Sequence, residues 1–431
     1  MKISYSVTIG SLTALGLALS ATAAQAAAGG LDPAFGSGGT VITSYNGPAP
    51  SDALPQPDGK IVVVAGFDND PSATEAFGVL RYQANGALDT SFGVAGRATA
   101  AFTNFINSPN DAALQSDGKI VVAGNAQSAD GTLSEFAVAR FNANGTLDST
   151  FGTGGKVTTN FVGVQAGGVS NPATSVLIQS DGKILVAGSA SQCARRCPLL
   201  TALARYNTNG SLDTSFGSGG TVGVTSIGAI HTLGEDAAGD IFGLNGALIA
   251  EFSPSGVLQS QVTPSPIATA STEGFAVSPA VFQPDGRYLV SGGSADHGNG
   301  YLRDTDAQVV RYQQTGVVDP SFASPAFDFS GSGAPNETDL AQGIALQPNG
   351  QVVLAGYHSS NGSTSFTTAR LNAGGSLDTT FGPGGTVTAG LPAGGQASAA
   401  LIQPDGKVVI VGQGFIAGGG VDLVLIRYLG Q

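Results

Sequence analysis

Short apolar segments alternate with polar, glycine-containing turns along almost the whole chain. The pattern is plainest in residues 112–157, AALQSDGKIVVAGNAQSADGTLSEFAVARFNANGTLDSTFGTGGKV. It predicts an apolar strand, an Asp-Gly turn, a nearly all-apolar strand at 120–123 and, after a polar loop, a third strand at 136–141. An Asn-Gly turn then leads into a short fourth strand. One unit is therefore four short antiparallel strands.

This unit recurs. The glycine of its first turn returns at Gly59, Gly118, Gly182, Gly239, Gly286, Gly350 and Gly406. The spacing ranges from 47 to 64 residues, and an average unit of about 58 residues suits four strands with their loops.

The second strand of the unit lacks polar alternation. At 61–65, 120–123, 184–187 and 408–411 it is a run of Val, Ile, Leu and Ala, which indicates a strand that is covered on both faces. Blades sandwiched between neighbouring blades have this property, and the coils of a parallel β-helix are too short for the period. The chain is predicted to be an all-β, seven-bladed β-propeller with four antiparallel strands per blade.

Unit four is degenerate, because Asn245-Gly246 joins its second and third strands directly. In the other units a variable polar loop lies at that position, and these loops are expected to share one face. They are residues 67–76, 125–135, 189–198, 294–307, 357–365 and 413–420.

The repeated sequence resembles a known family. The pattern Gln-x-Asp-Gly-Lys-Ile, Ala-Gly, Ala-Arg-Tyr-Asn and Asn-Gly-Ser-Leu-Asp-Thr-Ser-Phe-Gly, fullest at 179–217, is similar to the bacterial delta-60 repeat. The resemblance extends from residue 31 to the C-terminus and is strong in six of seven units. It implies a propeller-like fold and an exported protein, and it carries no catalytic motif.

Residues 1–26 are typical of a signal peptide, with Lys2, an apolar stretch at 9–20 and an Ala-Gln-Ala cleavage sequence. The protein is therefore expected to be exported to the periplasm or beyond, with 27–431 forming one propeller that is monomeric. No later segment is apolar enough to predict membrane insertion.

The charge balance narrows the choice of partners. Seventeen Lys and Arg against 30 Asp and Glu give a net charge of −13, which opposes binding to nucleic acid or to anionic lipid. A cationic partner or a metal ion remains open.

An Arg that ends the third strand precedes an Asp by eight residues in five units. In unit four Glu251 and Gln259 replace both partners together, as expected if the two charges pair in a buried salt bridge. A ring of ligand-binding arginines is the alternative. The pairs are Arg81–Asp89, Arg140–Asp148, Arg205–Asp213, Arg311–Asp319 and Arg370–Asp378.

The last turn carries a recurring Phe, which is expected to pack between blades. An exposed carbohydrate platform is the alternative, although the chain has no Trp. The positions are Phe35, Phe92, Phe151, Phe216, Phe322 and Phe381.

Cys193 and Cys197 are the only cysteines. A local disulfide is expected in an exported protein. A metal site is the alternative, but no His lies nearby in the sequence.

Five acids precede or open the innermost strands, close to the predicted mouth of the central channel: Asp52, Asp111, Glu273, Glu337 and Asp339. Carboxylates that converge on one axis could hold Ca²⁺, whereas solvated loop acids are the simpler interpretation. No other cofactor is indicated, because His231, His297 and His358 lie in different units without metal-ligand spacing.

The chain ends inside a turn that every other unit completes, and it begins with the missing piece. Joined end to end, Arg427 and Asp32 would have the same eight-residue offset as the other pairs. We therefore expect residues 31–43 to supply the outer strand of the last blade, closing the ring.

Two functions fit these observations. The first is a non-enzymatic exported module that binds a protein, glycan or small molecule through its channel mouth and loops. The second is a propeller hydrolase or lyase that uses a divalent cation at the channel mouth as a Lewis acid. Convergence of the acids on the axis would favour the enzyme, and the fold alone decides neither.

Overall fold

The computed structural model describes most of the chain beyond the N-terminal segment. The described residues are 28–44, 47–68, 75–102, 105–128, 130, 133–161, 172–191, 199–225, 227–245, 248–263, 280–295, 305–323, 326–329, 337–416 and 420–430. Across these ranges the search for a helix able to span a membrane finds none.

The described structure is almost entirely β. The strands are β1 Thr40–Ser44, β2 Asp52–Pro55, β3 Ile61–Asp68, β4 Glu75–Tyr82, β5 Arg97–Ala100, β6 Phe105–Leu114, β7 Ile120–Ser128, β8 Ser134–Phe141, β9 Lys156–Thr159, β10 Ala173–Ile178, β11 Ile184–Ser191, β12 Leu199–Tyr206, β13 Thr221–Val224, β14 Thr232–Glu235, β15 Ile241–Leu244, β16 Ile249–Phe252, β17 Leu258–Val262, β18 Ala280–Phe282, β19 Tyr288–Ala295, β20 Thr305–Tyr312, β21 Ala326–Phe327, β22 Glu337–Leu346, β23 Val352–Ser360, β24 Ser363–Leu371, β25 Thr386–Thr388, β26 Gly395–Ile402, β27 Val408–Ile416 and β28 Gly420–Tyr428. A short 3₁₀ turn at Pro383–Gly385 precedes β25.

The strands form seven blades of four antiparallel strands, as predicted. Blade 1 is β2–β5, blade 2 β6–β9, blade 3 β10–β13, blade 4 β14–β17, blade 5 β18–β21, blade 6 β22–β25, and blade 7 β26–β28 with β1. The first strand of each blade lies innermost, beside the central channel. A parallel bridge between Thr305 and Thr338 also joins blades 5 and 6.

The core is divided among the interfaces between blades. In β3, Ile61 and Val63 pack toward blade 7, whereas Val62 and Val64 pack toward blade 2. All four side chains are fully buried. Each strand therefore contributes to two apolar layers, which is why its sequence lacks polar alternation. Burying a side chain of this size stabilises the fold by about 1.5–3 kcal/mol.

The recurring Asp-Gly turns follow from backbone geometry. Gly118 has φ 82° and Gly406 has φ 82°, a left-handed conformation that costs glycine little. The Asp before the glycine accepts a hydrogen bond from the main-chain N–H two residues further on, as Asp117 Oδ1 does from Lys119 at 3.1 Å. The predicted hairpin turns are confirmed.

Both ends of the chain complete blade 7. Strand β1 pairs antiparallel with β28, with Thr40 opposite Ile426. The amide of Asp32 donates to the carbonyl of Arg427 at 2.9 Å, and that of Asp148 donates to Arg140, in blade 2, at the same 2.9 Å. The predicted ring closure is confirmed.

The structure brings all six predicted Arg–Asp pairs into contact. Their shortest N–O distances range from 2.8 to 2.9 Å, and no arginine side chain is more than 8% exposed. Such burial leaves little of each guanidinium for a ligand, which counts against the ligand-binding alternative. The pairs are Arg81–Asp89, Arg140–Asp148, Arg205–Asp213, Arg311–Asp319, Arg370–Asp378 and Arg427–Asp32.

Each of these arginines also ties its blade to the next one. Arg140 Nη1 donates to the carbonyl of Thr208 in blade 3 at 2.6 Å, and its guanidinium stacks 4.6 Å from the ring centroid of Phe151. Phe151 is fully buried, and the other five recurring Phe side chains are at most 4% exposed. The Phe residues therefore pack between blades and are not an exposed platform for sugars.

A second cation, which was not predicted, approaches most of these carboxylates. Lys119, which follows the Asp-Gly turn, lies 4.0 Å from Asp148, and Lys407 lies 3.3 Å from Asp32. Burial would raise the pKa of Asp148, but hydrogen bonds from Thr150 and the charge of Arg140 outweigh it and lower that pKa. The recurring Asp-Gly-Lys sequence is the pattern from which this second cation could have been predicted.

Blade 4 departs from the other blades. Its strands β14, β15 and β16 have four residues each. Glu251 takes the place of the arginine and accepts a hydrogen bond from Ser260 at 2.9 Å. Among the described residues, the arginine tie to the following blade is therefore missing at this interface.

Candidate functional site

Within the described residues, a β-bulge interrupts the innermost strand in four blades. The pairing of the first strand with the second shifts register between Pro109 and Asp111 in blade 2. The same shift occurs in blades 3, 6 and 7. A bulge inserts one unpaired residue and re-aims its side chain. The inserted residues are Asn110, Thr174, Gln342 and Ser398.

The bulges explain the glycine in the second strand of these blades. A Cβ added to Gly124 would lie 2.1 Å from the carbonyl oxygen of Ser108, and one on Gly412 would lie 2.1 Å from that of Gln396. The bulged inner strand presses its backbone against the second strand there, so only glycine fits.

The four inserted residues all line one cavity at the centre of the ring. It has a volume of about 270 Å³, and Ser51 and His231 add a side chain each from blades 1 and 4. Among the described residues, six of the seven blades therefore contribute a polar side chain to the wall of the axial channel.

Three side chains of this wall donate hydrogen bonds to the protein itself. Asn110 Nδ2 donates to the carbonyl of Ala173 at 2.6 Å. Ser51 Oγ donates to Val64 at 3.3 Å, and Thr174 Oγ1 donates to the carbonyl of Ile230. These three side chains therefore have oxygen lone pairs left to offer to the cavity.

Two of the predicted acids also line this cavity and contact each other. Asp52 and Asp111 share a side-chain hydrogen bond. Burial, and then the charge of Asp111, raises the pKa of Asp52 well above its usual range. Burial likewise raises the pKa of Asp111 to about 6, against the main-chain donors that stabilise its charge. The pair therefore becomes negatively charged as the pH rises through about 6.

Most oxygens of this pair already accept main-chain hydrogen bonds. Asp52 Oδ2 accepts from the amide of Ala112 in blade 2 at 3.1 Å, and Asp111 Oδ2 accepts from Val176 in blade 3 at 2.7 Å. The two acids link the inner strands of three consecutive blades, an interblade role that no sequence motif indicated.

The other described acids are not brought to this pair. Glu337 and Asp339 begin strand β22, ahead of its channel-lining residue Gln342. Asp339 accepts a hydrogen bond from, or donates one to, His358 Nδ1 at 2.9 Å. Burial raises the pKa of Asp339 to about 7, although the hydrogen bond and charge of His358 oppose the rise. His358 was not a predicted ligand, and only the pairing of β22 with β23 reveals its neighbours.

Three predicted site residues lie outside the described ranges: Glu273, Cys193 and Cys197. The calcium ligand assigned to Glu273 and the disulfide therefore remain predictions. His297 and the predicted signal peptide at residues 1–26 also lie outside the described ranges.

Six segments of the chain match a family described as "Domain of unknown function (DUF5122) beta-propeller". Each begins at the Gln before the first turn, and all but the last end at the recurring Phe. They are residues 56–92, 115–151, 179–216, 283–322, 347–381 and 403–430. The chain therefore belongs to a β-propeller repeat family, and these matches leave the degenerate blade 4 uncovered.

Solved structures of similar shape share little sequence with the chain. A protein of unknown function from Dyadobacter fermentans is 11% identical with a TM-score of 0.49, over 91% of this chain and 98% of that chain. One from Bacteroides caccae is 12% identical with a TM-score of 0.39, over 80% and 96%. Sqt1 from Chaetomium thermophilum is 11% identical with a TM-score of 0.46, over 89% and 96%. A search of the curated proteins found no match.

Proposed function

We propose that this propeller is an exported, non-enzymatic binding module that takes a ligand with an amino group at its axial channel. The observation that carries the proposal is the set of bulged inner strands. Bulges recur beside functional sites because they re-aim side chains. Here four of them direct a polar side chain into one cavity.

The chemistry of the wall selects the ligand class. Asn110, Thr174 and Ser51 already donate to main-chain carbonyls, and the pair of Asp52 and Asp111 is negatively charged above about pH 6. Acceptor oxygens beside a negative charge favour a group that donates several hydrogen bonds and carries a positive charge. A primary ammonium ion, with three donors and no acceptor, has this character.

A metal-dependent hydrolase or lyase is supported less well. A catalytic divalent cation needs several protein ligands with free lone pairs and an open coordination position. The described acids of the channel are Asp52 and Asp111, whose oxygens accept main-chain hydrogen bonds. Glu337 and Asp339 lie with His358 instead.

Export is part of the proposal. It is supported by the composition of residues 1–26 and by the resemblance to the delta-60 repeat. Cell fractionation, with release of the protein by osmotic shock or into the medium, tests it. Retention with a cytoplasmic marker would contradict it.

Binding is tested by calorimetric titration with 1,5-diaminopentane and with glutarate, two flexible five-carbon probes of opposite charge. The diamine is expected to bind and the glutarate is not. The double variant Gln342→Ala, Ser398→Ala should weaken diamine binding about tenfold, as expected for two lost hydrogen bonds. Val94→Ala, at a side chain that is 83% exposed, is the matched control. Equal binding of both probes, or unchanged binding by the double variant, would contradict the proposal.

A further inference from the structure

Among the described residues, a bridge between strands joins blades 5 and 6 and no other pair of neighbouring blades. Besides the packed core between them, the parallel bridge of Thr305 with Thr338 joins β20 to β22. Between β21 and β22 the chain passes from the outer edge of blade 5 to the inner edge of blade 6. Asp328 stands at the start of this passage, one residue beyond β21.

Four side chains with metal-binding atoms gather at this junction. Asp339 and His358 are opposed residues of the β22–β23 pair, and their Oδ1 and Nδ1 atoms are 2.9 Å apart. Asp328 joins them, so that one ligand atom from each of the three residues lies within 4.8 Å of the others. Glu337 Oε1 lies 3.8 Å from His358 Nε2, on the other edge of the ring.

The arrangement suits a metal ion in spacing and in charge. Zinc holds nitrogen and oxygen ligands at about 2.0–2.2 Å in a tetrahedral arrangement, so neighbouring ligand atoms lie about 3.4 Å apart. Movements of about 1.5 Å or less would therefore bring the three atoms to the spacing of zinc ligands. Asp339 is 1% exposed and Glu337 is 8% exposed. Carboxylates this close together and this deeply buried repel each other unless protons or a cation compensate their charge.

We propose that Asp328, Asp339 and His358 bind one divalent transition-metal ion, Zn²⁺ or Mn²⁺, across the junction of blades 5 and 6. The ion takes the position of the proton now held between His358 Nδ1 and Asp339 Oδ1. Glu337 orients the imidazole through Nε2–H, the usual role of a carboxylate behind a metal-bound histidine. Imidazole suits zinc and other transition metals, whereas calcium prefers an all-oxygen shell.

This site is separate from the axial channel. Its ligands come from the end of blade 5 and from the first two strands of blade 6, and the channel cavity is lined by other residues. Because Asp328 belongs to blade 5 and the other two ligands to blade 6, the ion would brace two blades against each other. Metal binding should therefore raise the melting temperature, since a ligand of the folded state stabilises it.

The test uses the purified, tag-free protein carrying Cys193→Ser and Cys197→Ser, so that no thiol competes for zinc. Binding of ZnCl₂ is followed by calorimetry, binding of MnCl₂ by the loss of the free Mn²⁺ electron-paramagnetic-resonance signal, and stability by thermal unfolding. One ion per chain and a raised melting temperature are expected. His358→Ala should lower the affinity at least about tenfold and abolish the rise in melting temperature. His231→Ala, in the channel, is the matched control and should change neither.

Asp328→Asn is a second variant, chosen because it keeps a side chain of the same shape if His358→Ala fails to fold. It should also lower the affinity about tenfold. Three results would overturn the proposal: no saturable binding, binding that both variants leave unchanged, or calcium binding as tightly as zinc. A lower affinity in His231→Ala than in His358→Ala would overturn it too, by placing the metal in the channel.

Discussion

Arg427 and Asp32 lie near opposite ends of the chain, and Arg427 Nη2 is 2.9 Å from Asp32 Oδ2. The guanidinium also stacks 4.5 Å from the ring centroid of Phe35 and donates to the carbonyl of Ala84 in blade 1. One side chain thus joins the last blade, the N-terminal segment and the first blade. The ring is closed by the same contacts that repeat within each regular unit.

Deleting residues 28–44 should destabilise the whole ring. The deletion removes β1, leaves the edge of β28 unpaired and leaves Arg427 without its buried carboxylate. We expect a fall in melting temperature of about 5–10 °C, measured by calorimetry. A circular permutant that joins the C-terminus to Gly29 and opens within residues 129–132 keeps β1 beside β28. It should therefore melt close to the temperature of the full chain. A deletion variant that melts like the full chain would show that the seam contributes little.

The pair of Arg140 and Asp148 should behave as a coupled unit. Arg140→Leu or Asp148→Leu alone leaves a buried charge unpaired, and each should cost about 3 kcal/mol. The double variant should lose about 1–3 kcal/mol less stability than the sum of the two single losses. Urea unfolding measures the three losses, with the dependence of the unfolding free energy on urea concentration equal in all variants. Lys119→Met is a control, because this lysine is 29% exposed and lies 4.0 Å from Asp148, and it should cost less than about 1 kcal/mol. Additive losses would rule out the coupling.

Asp52→Asn should reduce the dependence of stability on pH. The pKa of Asp111 is raised to about 6 in the folded protein, so the folded state binds more protons than the unfolded state. The stability from proton sharing is complete below about pH 4, the ordinary carboxyl pKa, and is lost as the pH rises through about 6. A neutral amide at position 52 removes one of the two titrating groups, the carboxyl whose pKa burial and the charge of Asp111 raise well above its usual range.

The unfolding free energy of the protein should therefore fall by about 1–2 kcal/mol between pH 4.5 and 7.5, and by less in Asp52→Asn. Urea unfolding across this pH range measures the difference. Asp58→Asn is the control, and its unfolding free energy should depend on pH as strongly as that of the unmodified protein. Burial would raise the pKa of this turn carboxyl, but its hydrogen bonds and ion pair with Lys60 outweigh that effect and lower the pKa. Identical slopes in all three proteins would show that Asp52 and Asp111 do not titrate together.

Blade 4 should open more readily than its neighbours. Its strands are short, and Glu251 replaces the arginine that ties the other blades forward. Amides of β15 should exchange with solvent at least about tenfold faster than those of β7, a difference of about 1.4 kcal/mol in local opening. Hydrogen exchange followed by mass spectrometry measures this difference, and β11 of blade 3 serves as a second reference strand. Equal protection in β15 and β11 would contradict the prediction.

Much of the architecture was predictable because local chemistry determines it. An Asp-Gly pair turns the backbone wherever it occurs, as at Gly118, and an all-apolar strand such as 120–123 must be covered on both faces. The pairing of Arg427 with Asp32 followed from an eight-residue offset that five complete units repeat. Each of these inferences depends on a few neighbouring residues or on a repeat, so the order of residues contains the information.

The channel was only partly predictable. Each bulge inserts one residue into the inner strand. No sequence pattern around Asn110 or Ser398 predicts this shift of register. The bulge appears only when the inner strand is paired with the second strand. The one trace in the sequence is Gly124, where a side chain would clash with the bulged strand, and a glycine within a strand is equally compatible with a bend or a tight turn.

The number of blades, the strands in each blade and the closure of the ring follow from the order of residues alone, because short-range turns and their repetition specify them. The tertiary structure determines which acidic side chains are in contact. Asp52 and Asp111 come together because inner strands of adjacent blades converge on the axis. Asp339 meets His358 because strand pairing places them opposite each other. Spacing along a chain does not specify proximity between strands, and in this ring proximity depends on register.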